Sequence, residues 1–206
     1  MSQDIVVKKG LDLQLVGNAS PEIYTPKSSD YISIFPSDFH GVFPKLVVKE
    51  NDIVKAGETL FFDKNSEKIK FVSPVSGIIH EILRGDRRTV LEIKIKADKE
   101  ISYKKIEKTN LDDSSNIIDF LLENGLWTFI KQRPYDVIAD PNSLPKDIFI
   151  SGFDSSPLSA DYDFITKDEK DNIKAAIKCL IQLTNGSVHI SIRKESNSFL
   201  RELKNV

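Results

Sequence analysis

Val48-Lys49-Glu50-Asn51-Asp52-Ile53-Val54-Lys55-Ala56-Gly57-Glu58-Thr59-Leu60, followed by Ser73-Pro74-Val75-Ser76-Gly77-Ile78-Ile79, is the stretch whose reading decides the fold. Asn51-Asp52 and Ala56-Gly57 are turn formers, because Asn and Gly tolerate left-handed backbone and short polar side chains bond their own main chain. Between those turns Val48, Ile53, Val54 and Leu60 are expected to point inward. Pro74 and Gly77 bracket the entry to the next strand. The spacing predicts two hairpin-like halves.

The β signal spreads outward from this stretch. Short β-rich runs recur at Ile32-Ser33-Ile34-Phe35, Lys45-Leu46-Val47-Val48, Thr59-Leu60-Phe61-Phe62, Lys70-Phe71-Val72 and Gly77-Ile78-Ile79. In Val90-Leu91-Glu92-Ile93-Lys94-Ile95-Lys96 the alternation is strict. It places Leu91, Ile93 and Ile95 on one face and Glu92, Lys94 and Lys96 on the other, as a half-buried strand requires. Residues 1–102 therefore read as one β-rich domain, with an N-terminal strand around Ile5-Val6-Val7. The frame of residues 45–96 resembles the biotinyl/lipoyl-type barrel-sandwich hybrid, whose recurring pattern is GDxVxxGxxL followed by APxxGxV. In true carriers of that type an exposed hairpin tip presents a lysine to the cofactor. Asp63-Lys64 is similar to the lipoyl Asp-Lys pair, but it stands too close to Leu60 and lacks the acidic lead-in and the small residue that follows. Lys64 is read as a solvated turn lysine, with a biotinyl/lipoyl-like carrier module as the rival.

Near residue 100 the period changes. Asp112-Asp113-Ser114-Ser115 offers N-cap chemistry, Ile117, Ile118, Phe120, Leu121 and Leu122 follow at helical spacing, and Asn124-Gly125 supplies a stop. Thr166-Lys167-Asp168-Glu169 is expected as a capping box that opens a second helix, with Ile173, Ala176, Ile177, Leu180 and Ile181 as its apolar stripe. Asp147-Ile148-Phe149-Ile150-Ser151 and Ser187-Val188-His189-Ile190-Ser191-Ile192 read as strands. Helix, strand, helix, strand predicts an α/β domain over residues 103–206. A doubly wound sheet has roughly five strands. Only two are convincing here, so the sheet is expected to be incomplete, with more chain or a partner needed to finish it. Phe199, Leu200 and Leu203 predict a last helix.

Composition excludes several classes. The chain is 40% hydrophobic and 29% charged with a net charge of −2, which supports a core but not nucleic-acid binding. Cys179 is the only cysteine, so no internal disulfide forms. Met1-Ser2-Gln3-Asp4-Ile5-Val6 lacks the apolar run of a signal peptide, and no stretch approaches the roughly 18 apolar residues of a membrane span. The expectation is a cytoplasmic chain, with docking onto a membrane protein left open.

Candidate chemistry is sparse. His40, His80 and His189 lack zinc-site spacing and read as structural. Arg84-Gly85-Asp86-Arg87-Arg88 reads as a hairpin turn, with a docking patch for an anionic surface or partner as the alternative. Asp154 and the acids at 161–163 precede the second helix and read as solvated loop residues rather than acid/base groups. The sequence contains no G-x-G-x-x-G or Walker A pattern, and nothing in it resembles a nucleophile elbow. The chain is expected to carry no complete active site of its own.

Two stretches are more distinctive. One is Leu121-Leu122-Glu123-Asn124-Gly125-Leu126-Trp127-Thr128-Phe129-Ile130-Lys131-Gln132-Arg133-Pro134-Tyr135. The other is Pro145-Lys146-Asp147-Ile148-Phe149-Ile150-Ser151-Gly152-Phe153-Asp154-Ser155-Ser156-Pro157-Leu158-Ser159-Ala160-Asp161. With Ile5-Val6-Val7-Lys8-Lys9-Gly10-Leu11-Asp12-Leu13, they resemble the A-subunit family of the sodium-translocating NADH:quinone oxidoreductase. The resemblance covers essentially the whole chain. It implies an α/β fold with an all-β module, a barrel-sandwich hybrid followed by a partial Rossmann-like domain. It also implies a peripheral subunit on the cytoplasmic side of the bacterial inner membrane, partnered by the other subunits. The complex it implies passes electrons from NADH through flavins and iron–sulfur centres to ubiquinone or menaquinone and exports sodium. The C subunit of the Rnf electron-transport complex is a rival, and the NADH-binding subunit of respiratory complex I is similar in fold.

In those last two relatives a Gly-Leu pair leads into a glycine-rich loop that cradles flavin and NADH. Here Gly125-Leu126 leads into Trp127-Thr128-Phe129-Ile130-Lys131-Gln132. Bulky side chains stand where backbone amides would have to approach phosphate. The chain is therefore expected to bind neither NADH nor FMN there, and to hold no cofactor or metal itself. Trp127, Phe129, Arg133 and Tyr135 are the candidate contacts for a quinone headgroup or a neighbouring subunit. The plainer reading is that they pack the interdomain core.

Overall fold

The computed structural model describes residues 16, 17, 20–107, 109–156, 158–194, 196 and 198–203, and the strand expected near Ile5 lies outside them. The first part of the chain forms β1 (Tyr31–Ile34), β2 (Pro44–Leu46), β3 (Ile53–Val54), β4 (Thr59–Asp63), β5 (Ser66–Val72), β6 (Gly77–Arg84) and β7 (Val90–Ala97). They pair into two antiparallel sheets, ordered β1-β7-β6-β3 and β2-β4-β5. Leu60, Phe61, Ile79, Ile93 and Ile95 are fully buried. Phe71 stacks on Phe61 at 4.4 Å and meets the edge of Phe39 at 4.6 Å. Each such side chain contributes about 1.5–3 kcal/mol by leaving water.

The deciding stretch does its work through two turns. Asn51 (φ 72°) and Gly57 (φ 89°) both take left-handed backbone. The Asn51 amide donates to the Ile79 carbonyl at 2.8 Å and the Ile79 amide to the Asp52 carbonyl at 2.9 Å, which ties the first turn to β6. The Gly57 amide donates to the Ser73 carbonyl at 2.7 Å and ties the second turn to the end of β5. Ser73 and Ser76 are buried, and their hydroxyls donate to the Val75 carbonyl (2.6 Å) and Asp98 Oδ2 (2.8 Å). No buried hydroxyl there is left without a partner, which removes the main cost of burying it. Gly77 is required by close approach, since a Cβ at that position would lie 2.0 Å from the Lys96 carbonyl oxygen.

Two inward assignments are corrected. Ile53 is exposed while Val54 is buried, because successive residues of a strand face opposite ways and β3 can bury only one of its pair. Leu91 is also exposed. Leu83 pairs with Glu92 and Arg84 with Val90, so Leu91 is the extra residue of a bulge and Val90 takes the inner position.

The second part forms α1 (Ser114–Glu123), β8 (Lys131–Gln132), β9 (Val137–Ile138), β10 (Ile148–Ser151), α2 (Tyr162–Ile165), α3 (Lys170–Ile181) and β11 (Val188–Ser191). α1 starts where expected, with Asp113 accepting from the Asn116 amide. β10 and β11 pair in parallel as a two-stranded sheet. The capping box at Thr166 does not form. Asp161 opens the short α2 instead, and the Thr166 hydroxyl donates back to the Tyr162 carbonyl at 2.7 Å, so Thr166 closes that turn and α3 begins after Glu169. The last expected helix is a 3-10 turn at Phe199–Glu202, capped by Ser198.

The two parts share one apolar core. Ile117 and Leu122 of α1, Trp127 and Leu183 cluster with Leu60, Phe61, Phe71 and the buried isoleucines of the β sheets. Glu123 at the end of α1 bridges Lys70 on β5 and Lys104. The Lys70 ammonium, donating to the Glu123 carboxylate, holds its pKa below the ordinary value. A carboxylate with a lowered folded pKa stabilises above its unfolded pKa and loses that contribution as pH falls through the folded value. Glu123→Gln should therefore lower stability at pH 7 by less than about 1 kcal/mol, given its exposure. In urea titrations that difference should begin to shrink as pH falls past about 4.3, the unfolded value, and be gone only below the lowered folded value. Gly77→Ala should cost roughly 3 kcal/mol, seen as a clear drop in Tm, because the Lys96 strand must move.

Candidate functional site

α1 stops at Asn124, and Gly125 (φ 72°) reverses the chain in left-handed backbone. A Cβ on Gly125 would sit 2.8 Å from the Val72 side chain, so the turn lies directly on β5. Leu126–Phe129 then forms a 3-10 turn that buries Trp127, which is 6% exposed. Trp127 Nε1 donates to the Ala139 carbonyl at 2.7 Å, and the buried Thr128 hydroxyl donates to the Gly125 carbonyl at 2.8 Å. These two bonds close the segment on itself. The hairpin β8–β9, which the sequence did not signal, carries the chain out and back, with Lys131 opposite Ile138 and Gln132 opposite Val137.

This arrangement divides the four candidate contacts. Trp127 belongs to the core. Phe129 and Tyr135 are 80% and 73% exposed, and Arg133 reaches solvent with one ion pair, to Asp136 at 3.5 Å. Two aromatic rings and a guanidinium thus reach solvent after the buried indole. Aromatic side chains bring large contact area with little entropy to lose, and Arg can stack on or bond to a polar ring. The signal that separates Trp127 from its neighbours is the indole N–H, which needs a partner when buried and finds one across the hairpin.

The backbone amides on either side of the 3-10 turn are hydrogen-bonded. The amides of Asn124, Gly125 and Ile130 are spent on the carbonyls of Phe120, Leu122 and Trp127. Trp127 fills the space behind them. A phosphate cradle needs several free amides converging on open space, and these three amides are engaged.

A second feature lies at the carboxyl ends of β10 and β11, where ligands enter open α/β sheets. A cleft of about 460 Å³ opens there, lined by Phe153, Asp154, Asp161, Tyr162, Asp163 and Arg193 among others. It gathers the acids that the sequence places before the second helix, together with Arg193, which the sequence did not single out. Each carboxylate has structural work. Asp154 accepts from the Ser156 hydroxyl and amide at 2.7 Å, and those bonds lower its pKa. Asp161 caps α2 through the amides of Asp163 and Phe164, and Asp163 accepts from the Ser196 hydroxyl at 2.6 Å. Arg193 donates to the Asp154 carbonyl at 2.9 Å. These acids hold loops in place.

Lys64 stands at the exposed tip of the β4–β5 hairpin. Asp63 beside it is buried and accepts from the amides of Phe43 (3.0 Å) and Asn65 (3.2 Å), so the Asp-Lys pair is accounted for as turn chemistry. His80 packs on Tyr31 at 5.0 Å and His189 stacks on Phe149 at 4.9 Å. Among the described residues no three His, Cys, Asp or Glu side chains gather to hold a metal ion. Among them also, no helix is long and apolar enough to cross a membrane.

Comparison with known proteins bears on the whole chain. The family model of the NqrA N-terminal barrel-sandwich hybrid domain matches residues 5–98, and that of the NqrA second alpha/beta domain matches residues 112–206. Three similar proteins each carry the name of the A subunit of Na(+)-translocating NADH-quinone reductase. The one from Actinobacillus pleuropneumoniae serotype 5b (strain L20) is 30% identical over 94% of this chain and 44% of its own length. That from Marinomonas sp. (strain MWYL1) is 32% identical over 89% and 42%. That from Yersinia pseudotuberculosis serotype O:1b (strain IP 31758) is 34% identical over 90% and 42%. The chain spans less than half the length of these relatives.

Trp127 is the only tryptophan, so its burial can be read directly. Its emission should be blue-shifted and resist iodide quenching until the chain unfolds. Trp127→Phe should cost about 1 kcal/mol for the lost hydrogen bond and Trp127→Ala about 3–5 kcal/mol. Phe129→Ser should stay within about 0.5 kcal/mol.

Proposed function

This chain belongs to the NqrA family, and we propose that it serves a sodium-translocating NADH:quinone reductase as a peripheral subunit on the cytoplasmic side of the membrane. In that assembly the other subunits are its partners. NADH, flavins and iron–sulfur centres carry the electrons elsewhere, and this chain contributes contact rather than hydride transfer. Its two domains, residues 1–102 and 103–206, act as one docking body. The names of the relatives favour this reading over an Rnf-type C subunit or a carrier module.

The observation that carries the reading is the contrast within residues 125–135. The turn that would cradle a dinucleotide is packed shut by Trp127, and the next residues turn Phe129, Arg133 and Tyr135 outward. An exposed pair of aromatic rings with an arginine suits the flat, polar-edged ring of a quinone headgroup. We assign these three residues to that contact.

The test is made in the assembled membrane complex. Phe129→Ser combined with Tyr135→Ser should raise the KM for quinone about tenfold, the equivalent of roughly 1.4 kcal/mol of lost contact. The rate of NADH oxidation by a soluble artificial acceptor should stay unchanged. An unchanged quinone KM in a complex that retains the mutated chain would remove the assignment. Loss of that chain from the complex would reassign the array to an interface between subunits.

A further inference from the structure

The β6–β7 hairpin ends in a cluster unlike the rest of the surface. Arg84, Arg87 and Arg88 crowd a five-residue tip with Asp86 as the one acid, on a chain whose net charge is −2. All three arginines are exposed, and among the described residues none of the ion pairs involves them. By contrast Lys94, farther down the stem, is engaged by Glu81 and Glu92. The Arg84 guanidinium donates to the Arg88 carbonyl at 3.2 Å, which draws the tip closed without neutralising any charge.

Two further observations point the same way. Arg87 (φ 53°) and Arg88 (φ 62°) both occupy left-handed backbone. Asn, Asp and Gly are the residues suited to it, so two successive arginines there are held against local preference. Leucines flank the arginines on both strands. Leu83 is 45% exposed, and Leu91, turned out by the bulge, is 44% exposed and rests against Gly85. Exposed leucines beside unpaired guanidinium groups match the boundary between phospholipid headgroups and acyl chains, which takes up both kinds of group at once. An acidic protein surface would satisfy the arginines and leave the leucines in water.

We propose that the β6–β7 tip, through Arg84, Arg87 and Arg88 with Leu83 and Leu91, is a contact site for the anionic phospholipid surface of a membrane. The contact orients the chain on the bilayer. It rests on the reading of this chain as peripheral to a membrane complex and deepens it, but it uses residues separate from the Phe129 array. Failure at one site therefore leaves the other standing.

The test is sedimentation of this 206-residue chain with sucrose-loaded vesicles, of phosphatidylcholine alone or phosphatidylcholine mixed 3:1 with phosphatidylglycerol. Binding should be at least about tenfold greater on the anionic vesicles and should fall steeply as salt rises. Arg87→Gln with Arg88→Gln should abolish it. Arg87→Gly with Arg88→Gly should abolish it too, and at the same time raise Tm, because glycine relaxes the left-handed backbone. A gain in stability with loss of binding rules out misfolding as the cause. Equal binding to both vesicle types, or anionic binding unchanged in either double variant, overturns the proposal. So does retention of the chain on immobilised polyglutamate without retention on anionic vesicles, which would reassign the tip to an acidic protein.

Discussion

The packing of α1 and Trp127 against β5 is the contact on which the rest of the molecule depends. It covers Phe71 and the inner residues of the three-stranded sheet, and it makes one core of two modules. Because Gly125 sits within van der Waals reach of Val72, the chain direction after α1 is set by β5. Everything that follows, from the 3-10 turn to the β8–β9 hairpin, inherits its orientation from that approach. Glu123 adds an ion pair at the edge, but exposed pairs contribute little, and apolar burial supplies the larger share.

Much of the β module was legible because its physics is local. Asn51, Gly57 and Gly77 mark backbone that other residues tolerate poorly, and strand alternation follows from pleat geometry. The errors came from residues whose side is set by their neighbours. Ile53 is apolar and still faces water, because a two-residue strand has room for one inward side chain. Leu91 obeys the alternation of β7 in sequence, yet the bulge shifts Val90 into its place. A bulge depends on the partner strand, and no periodicity within β7 contains it. Thr166 failed for a related reason. Asp161 opens the short α2, whose end falls at Thr166, so the Thr166 hydroxyl is spent on the Tyr162 carbonyl and does not cap α3.

The candidate site was legible in outline and blurred in detail. The bulky run Trp127-Thr128-Phe129-Ile130 after Gly125 is visible in sequence. Which of those side chains turn inward is not. Helical spacing ends at Gly125, and beyond it the faces are set by a hydrogen bond to Ala139, twelve residues away from Trp127. The cleft at the end of the parallel strands was missed because its parts, Asp154, Asp161 and Arg193, come from separate loops that only the strand pairing brings together.

The closed turn and the outward array are two results of one choice. A phosphate cradle and a packed indole compete for the same volume, since free amides must face open space while Trp127 needs that space filled and its N–H bonded. Restoring the cradle would mean removing Trp127, and the stability lost would be a large part of what a domain of this size has to spare. A sequence that keeps Trp127 in place fills that volume with a buried, hydrogen-bonded indole. Beyond Trp127 the chain turns Phe129, Arg133 and Tyr135 to solvent rather than into the core. Apolar residues set outward cost solubility unless something covers them. The chain repeats this pattern at the β6–β7 tip, where Leu83 and Leu91 stand out beside three arginines.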